Sequence, residues 1–191
     1  MRHLLLALPF ALLPLVAAQA HEHGHDHDHE HSHDSLGAHE HGVASLNAAL
    51  DGNLLELQLE SPAMNLVGFE HEAKSDADKA KVAAARQHLE QPQALFALPI
   101  EAKCALQDSE LDSPLFGGHA HDAHEHADEH GHSDIDASYR FACANAEALQ
   151  TLELGSFFGT FPGTEKLEVQ LIGPSGQQGA ELTPSNSRLS F

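Results

Sequence analysis

The first folded segment of the chain is marked by strict alternation of apolar and polar residues. Every second residue of 44–50 is Ala or Leu, and every second residue of 55–59 is Leu, with Glu or Gln between them. Asp51-Gly52-Asn53 lies between the two runs and supplies turn residues. A period of two places alternate side chains on opposite faces of a strand. The pattern therefore predicts a β-hairpin with one buried and one wet face.

A helix is predicted from Ser75 to Glu90. Ser75, with Asp78 three residues later, resembles a capping box, which satisfies backbone N–H groups at the start of a helix. An Ala-rich run follows, and Pro92 lies just beyond it. Because proline cannot continue a helix, the predicted helix ends before that residue.

Alternation of period two returns in residues 100–106 and 135–143, which are predicted to be strands. Each run places a cysteine, Cys104 or Cys143, among its apolar positions. The segment between the runs is rich in histidine and is predicted to be a long loop. These patterns are compatible with a disulfide that joins neighbouring strands and faces the core.

The C-terminal part of the chain predicts further strands. Residues 167–171 alternate, and Gly173-Pro174-Ser175-Gly176 then indicates a turn. Short strands near 179–183 and 187–191 are expected to close the sheet. Together the elements predict an α+β fold, a mainly antiparallel sheet with one clear helix.

The N-terminal residues 1–20 are typical of a cleaved secretory signal peptide. A positive residue precedes an apolar run that two prolines interrupt, and Ala18-Gln19-Ala20 fits the cleavage site. An uncleaved anchor is the alternative. No later segment is apolar enough to cross a bilayer, so we expect an exported mature chain without membrane insertion. Its predicted organisation is a disordered arm, 21–42, and one folded domain, 43–191, with a His-rich loop at 117–134.

The charge of the chain excludes some partners. The formal net charge is −20 over 191 residues, and neither Lys nor Arg occurs between Arg2 and Lys74. Nucleic acid and anionic lipid would both be repelled by such a surface. The composition instead favours binding of cations.

The two cysteines of an exported chain indicate a disulfide between Cys104 and Cys143. Thiolate metal ligands are the alternative, although the two residues are far apart in sequence and neither belongs to a C-x-x-C motif.

Histidine is concentrated in two clusters interleaved with acidic residues: nine of the 18 histidines lie in 21–41 and six in 119–132. Neutral imidazole is a good ligand for zinc, copper and nickel, and carboxylates add oxygen donors. Zn(II) is the expected metal, with Cu(II) or Ni(II) as alternatives. The candidate ligands in the two clusters are His21, His23, His25, His27, His29, His31, His33, His39 and His41, then His119, His121, His124, His126, His130 and His132.

Two H-E-x-x-H matches, at 21–25 and 29–33, do not indicate a zinc protease. That motif acts on a rigid helix that presents both histidines on one face. Here one match contains Gly24, the other contains Ser32, and both lie in an acidic tract expected to be disordered. The motif arises by chance where His and acid alternate, so we expect a protein that is not an enzyme.

A more rigid site is predicted where the chain begins to fold. His39 and His41 adjoin the first strand, and His71 lies before the helix beside Glu70. These side chains could form one metal site if they meet, with Glu72 as a further donor. Otherwise His71 is an exposed loop residue. The remaining folded histidine, at position 88, is expected to be a solvated helix residue.

A freshly processed N-terminus offers a different site. If cleavage leaves His21 first, its amine, two amides and the His23 imidazole could wrap a square-planar Cu(II) or Ni(II) ion.

Three stretches resemble the ZrgA-like family of periplasmic zinc-binding proteins: AHEHGVASLNAAL (38–50), ESPAMNLVGFEHEA (60–73) and SFFGTFPGTEKLEVQLIGPSGQ (156–177). The resemblance implies zinc binding in the periplasm and support for a zinc ABC importer, alongside that importer's solute-binding protein. The motif positions that carry over are His39, His41, Glu70 and His71, with the histidines of the 119–132 loop. The alternatives are a copper or nickel buffer, and a module that docks on the importer with the histidines secondary.

Overall fold

The computed structural model describes residues 40–117 and 133–191, which form a sheet-rich fold with a few helices. The strands are β1 Val43–Asp51, β2 Leu54–Pro62, β3 Cys104–Asp112, β4 Asp134–Cys143, β5 Thr151–Glu153, β6 Lys166–Gly173, β7 Gly176–Leu182 and β8 Arg188–Ser190. The helices are α1 Ala63–Val67, α2 Asp76–Leu89, α3 Pro92–Leu95 and α4 Gly155–Thr160, with short 3₁₀ turns at 100–102, 114–116 and 146–148.

The main sheet has six strands in the order β3-β4-β2-β1-β6-β7. The predicted hairpin is confirmed: β1 and β2 pair antiparallel up to Asp51 and Leu54, and Gly52 adopts a positive φ of 58° in the turn. The pair β1–β6 is parallel and the other neighbours are antiparallel. The mainly antiparallel sheet is therefore confirmed, with one parallel pair that the sequence did not predict.

One face of the sheet is buried and the other is exposed. Leu46, Leu57 and Phe141 point into the core and are fully buried, whereas most of the residues that alternate with them along each strand carry polar side chains. Phe96, which follows α3, packs edge-on against Tyr139 of β4 with ring centroids 5.6 Å apart. Burying side chains of this size stabilises a fold by roughly 1.5–3 kcal/mol each. The helices cover the buried face of the sheet, and the other face remains in contact with solvent.

The predicted helix is confirmed as α2. Ser75 is its N-cap: the Ser75 hydroxyl accepts a 3.0 Å hydrogen bond from the Asp78 N–H and donates one of 2.6 Å to the Asp78 carboxylate. The carbonyl of Leu89, at the other end of α2, accepts a 2.8 Å hydrogen bond from the buried Tyr139 hydroxyl. A strand of the core thus holds the C-terminus of the helix.

The predicted disulfide is confirmed, and the predicted strand before it is partly wrong. Cys104 and Cys143 face each other in the β3–β4 register and are joined by a disulfide. Residues 100–102, expected to belong to the strand, form a 3₁₀ turn instead, with the Ile100 side chain 88% exposed. Lys103 has a φ of 50° in the left-handed region, which separates this turn from β3.

The C-terminal strands are also partly different from the prediction. β7 extends the main sheet as expected, but β8 pairs with β5 in a separate two-stranded sheet. Leu152 and Leu189 face each other in this pair and are both buried, which explains the choice of partner. In the part of the chain that the structure describes, no helix combines the length and apolarity needed to cross a membrane.

Candidate functional site

His41 lies in the turn that leads into β1, with its side chain 51% exposed. The next residue, Gly42, has a φ of 88°, a conformation that glycine adopts at little cost. The Gly42 N–H donates a 2.7 Å hydrogen bond to the side-chain oxygen of Asn65 in α1. The Gly42 carbonyl accepts hydrogen bonds from the N–H groups of Glu165 and Lys166, at 2.7 and 2.9 Å. The backbone beside His41 is therefore fixed.

Glu70 is placed by the end of α1. Gly68 adopts a left-handed conformation, and its N–H caps the helix through a 3.0 Å bond to the Met64 carbonyl. Phe69 then inserts into the core at 6% exposure. Glu70 follows at once, and its side chain is only 13% exposed.

His41 and Glu70, 29 residues apart in sequence, form a direct pair. The His41 Nε2 atom lies 3.0 Å from the Glu70 Oε1 atom. Because an ionised carboxylate only accepts hydrogen bonds, the ring donates from Nε2. An imidazole nitrogen beside a carboxylate oxygen is a donor combination that suits zinc.

His71 lies next to Glu70 in sequence but makes contacts of its own. Its ring stacks on Phe69, with centroids 4.7 Å apart, and its Nδ1 donates a 3.0 Å hydrogen bond to the Glu72 carbonyl. This bond leaves the lone pair of Nε2 available in the neutral ring. The pKa of Asp78 is lowered chiefly by its hydrogen bond from Ser75, and the charge of nearby His71 contributes. His71 is therefore exposed, and its contacts with Phe69 and Glu72 orient its ring.

The end of the second His-rich segment is anchored at the same place. Ser133, which follows His132 in the chain, donates a 3.0 Å hydrogen bond from its hydroxyl to the Glu70 carbonyl. The Ser133 carbonyl accepts a 2.8 Å bond from the Ala63 N–H at the start of α1. Glu70 therefore contacts the end of one His-rich segment through its side chain and the end of the other through its backbone.

The chain that leads from β3 into that segment is anchored as well. The Ser113 hydroxyl donates a 2.6 Å hydrogen bond to the Asp134 carbonyl, and it accepts one of 3.3 Å from the Leu115 N–H. This contact ties residues on both sides of the His-rich segment to each other. The chain is therefore fixed both before and after the His-rich segment.

A row of acidic residues crosses the exposed face of the main sheet. The strand register aligns one residue from each of the six strands, and five of the six are carboxylates. The row consists of Asp112, Asp136, Glu60, Ser45, Glu168 and Glu181. A hydrogen bond to Glu168, reinforced by the charges of Glu181 and Glu40, raises the pKa of Lys166 beside the row. Such a field raises the local concentration of cations.

The structure brings together some of the predicted ligands. His41 meets Glu70, and His71 adjoins them in sequence, whereas His88 is exposed on α2 as expected, edge-on to Phe161 at 6.3 Å. Within residues 40–117 and 133–191, no three His, Cys, Asp or Glu side chains form a group that could hold a metal ion. The signal peptide, His39, the 21–33 tract and the histidines of 119–132 lie outside the described residues.

Two residues that position this site were not predicted, namely Asn65 and Ser133. Ser133 gives no signal except its place directly after the last histidine of the segment. Asn65 gives a stronger one, since a polar residue between Met64 and Leu66 of an apolar run is buried only when its hydrogen bonds are satisfied.

A comparison with protein families relates the chain to known proteins. Residues 38–191 match the model of a family described as the ZrgA family zinc uptake protein. No curated protein matches the chain. The matched range includes His41, Glu70 and the 119–132 segment, whereas the tract 21–33 precedes it.

Proposed function

The chain belongs to the ZrgA family of zinc uptake proteins, and on that premise we propose that it is a non-enzymatic periplasmic accessory protein. It captures Zn²⁺ and supports zinc uptake by an ABC importer. The observation that carries the proposal is the contact between His41 Nε2 and Glu70 Oε1, at the point where the ends of both His-rich segments are anchored.

Zinc can take the place of the proton in this pair when the ring proton of His41 moves from Nε2 to Nδ1, which leaves the Nε2 lone pair for the metal. Two ligand atoms at about 2.0–2.1 Å from a tetrahedral zinc ion lie roughly 3.4 Å apart. The two atoms are 3.0 Å apart without metal, so an opening of a few tenths of an ångström accommodates the ion. The low exposure of the Glu70 side chain strengthens the attraction of its carboxylate for a cation.

The remaining ligands are proposed from the neighbouring histidines. His39 is two residues from His41, His71 follows Glu70, and the 119–132 segment ends beside Ser133. The histidines of the 21–33 tract provide further sites of moderate affinity, because H-x-H repeats offer many overlapping sets of ligands but fix no single geometry. In this proposal they collect zinc, and the anchored site holds it.

The location and the partner belong to the same proposal. The signal-peptide pattern of residues 1–20 and the disulfide both suit an oxidising exported compartment. We propose that zinc passes from this protein to the solute-binding protein of the importer. The acidic row on the exposed sheet face favours small cations over nucleic acid or anionic lipid.

Zinc affinity tests the proposal directly. In a chain whose 21–33 histidines are replaced by glutamine, we expect His41→Gln to weaken the tightest zinc site by at least about ten-fold. His88→Gln is the matched control, since His88 is also exposed but lies on α2, where its ring contacts Phe161. Competition with a zinc chelator measures both, and equal affinity of the two variants would reject the site.

Growth tests the physiological part. Cells that lack the protein and depend on the ABC importer should grow poorly in zinc-depleted medium, and the unaltered chain should restore growth better than His41→Gln. Full restoration by a chain without metal binding would instead indicate a docking module. Sensitivity to copper or nickel, with no zinc phenotype, would indicate a buffer for those metals.

A further inference from the structure

Asn65 is a buried polar residue whose side chain is fully engaged. It is 3% exposed in α1. Its oxygen accepts the 2.7 Å hydrogen bond from the Gly42 N–H, and its Nδ2 donates to the Val43 carbonyl at 2.8 Å and to the Ser61 hydroxyl at 3.3 Å. Both partners of the two short bonds belong to the chain directly after His41.

The peptide that Asn65 binds determines where His41 can lie. The Gly42 N–H belongs to the peptide bond that joins His41 to Gly42, so the donor nitrogen lies only two covalent bonds from the His41 Cα. The Gly42 carbonyl is held on its other side by the N–H groups of Glu165 and Lys166. His41 thus extends from a backbone that α1 and the start of β6 hold together.

The same helix positions the partner carboxylate. The α1 helix ends at Val67, Gly68 caps it, and the buried Phe69 directs the chain to Glu70. A five-residue helix therefore positions both members of the pair, one through the Asn65 side chain and the other through its C-terminal turn. Gly163 allows the chain to pack closely against this helix. A Cβ at that position would lie 2.6 Å from the Asn65 carbonyl oxygen.

We infer that Asn65 is a positioning residue for zinc binding: it holds His41 against Glu70 before the metal arrives. The inference rests on the proposed function of the His41–Glu70 pair. Groups that orient a metal ligand are worth about 10- to 100-fold in metal affinity, and preorganised side chains bind more tightly because less order is created on binding. Loss of the Asn65 amide should weaken zinc binding within that range.

Three variants of the full chain test this role. Asn65→Asp keeps an acceptor for the Gly42 N–H but sets a second oxygen against the Val43 carbonyl, and His41→Gln removes the ligand itself. Ser61→Ala is the matched control, since it removes the longest of the three Asn65 bonds and leaves the two short ones. We expect Asn65→Asp and His41→Gln to weaken the tightest zinc site, and Ser61→Ala to leave it unchanged.

Imidazole NMR supplies a readout that general destabilisation does not reproduce. In the metal-free chain, neutral His41 should be the Nε2–H tautomer, as its contact with Glu70 requires, and Asn65→Asp should give a mixture of tautomers. A folded Asn65→Asp chain with unchanged zinc affinity and a single tautomer would overturn the inference. If His41→Gln also binds zinc normally, the site itself fails, whereas normal binding by Asn65→Asp alone rejects only the positioning role.

The unaltered chain provides a test that does not depend on the folding of a variant. The Gly42 amide should exchange slowly with solvent deuterium in the metal-free protein, because Asn65 already binds it. Rapid exchange that becomes slow only after zinc is added would show that the metal organises the site, and the inference would be wrong.

Discussion

The Ser133 hydroxyl donates a 3.0 Å hydrogen bond to the backbone carbonyl of Glu70, across 63 residues of sequence. The Glu70 side chain is at the same time in contact with His41. One residue thus connects the end of the 119–132 segment to the end of the N-terminal segment. We propose that histidines from two distant parts of the sequence bind a common ion here.

Removal of the Ser133 hydroxyl should weaken both the fold and the metal site. Ser133→Ala should lower the free energy of unfolding by about 1 kcal/mol, a typical value for one intramolecular hydrogen bond. It should also lower the zinc affinity, because the 119–132 segment loses one of its attachments beside Glu70. Denaturant unfolding and chelator competition measure the two effects. Ser138→Ala, on the exposed face of β4, should change neither, and a zinc affinity equal to that of this control would contradict the prediction.

Neutralisation of Glu70 should show how much the charge of its side chain, as distinct from its size, contributes to zinc affinity. Glu70→Gln still accepts a hydrogen bond from His41 but offers zinc no negative oxygen, so we expect the tightest zinc site to weaken by at least about ten-fold. Glu72→Gln is the control, since the exposed Glu72 carboxylate pairs with Lys74 at 3.2 Å. Isothermal titration with zinc compares the two. Stronger loss in Glu72→Gln would move the site to the exposed loop.

Mild acid should release zinc. A histidine must be deprotonated to bind a metal, and the imidazole pKa is ordinarily about 6.5. Protons therefore compete with zinc increasingly as the pH falls below about 6. Equilibrium dialysis should find less zinc per chain at pH 5 than at pH 7.5. An unchanged ratio at the lower pH would mean that carboxylates alone hold the metal.

Alternation and capping residues predicted most of the sheet and the main helix correctly. Residues 43–59, for example, have a period that only a half-buried hairpin explains, and Ser75 is the N-cap that its spacing to Asp78 predicts. The 3₁₀ turn at Ile100 escaped prediction because apolar residues alternate there although the Ile100 side chain is exposed. Local periodicity reports which side chains could be buried, not which backbone conformation buries them.

The candidate site was predictable in its residues but not in its contacts. His41, Glu70 and His71 stand out by residue type, whereas the pairing of His41 with Glu70 depends on a helix cap and on the approach of two separate segments. The parallel pairing of β1 with β6 likewise depends on the path of the whole chain. Such long-range contacts leave no periodic signal in the sequence.

Loss of the disulfide should destabilise the fold around the His-rich segment. The Cys104–Cys143 bond closes a loop across 39 residues, which corresponds to about 4 kcal/mol on the chain-entropy model of a cross-link. The double variant Cys104→Ala with Cys143→Ala should therefore unfold at lower denaturant concentration. Each single variant, with one free thiol, should match the double variant. A double variant as stable as the unaltered chain would show that cross-strand packing of β3 suffices.

Alkaline pH should expose the contribution of Tyr139, the single tyrosine of the chain. Burial raises the pKa of its phenol, whereas a phenol in the unfolded chain ionises near pH 10. Above that pH the unfolded state loses the proton that the folded state keeps, so stability falls as the pH rises. Tyr139→Phe cannot ionise and lacks this dependence.

At neutral pH, Tyr139→Phe should be less stable than the unaltered chain by about 1 kcal/mol, because the Leu89 carbonyl loses its hydrogen bond. The difference should shrink as the pH rises above 10, since only the unaltered chain gains stability in its unfolded state by ionising this phenol. Denaturant unfolding of both chains at pH 8 and pH 11 measures the difference, and phenolate absorbance reports the titration of Tyr139 alone. A difference that stays constant between the two pH values would mean that Tyr139 ionises as easily in the folded protein as in the unfolded chain.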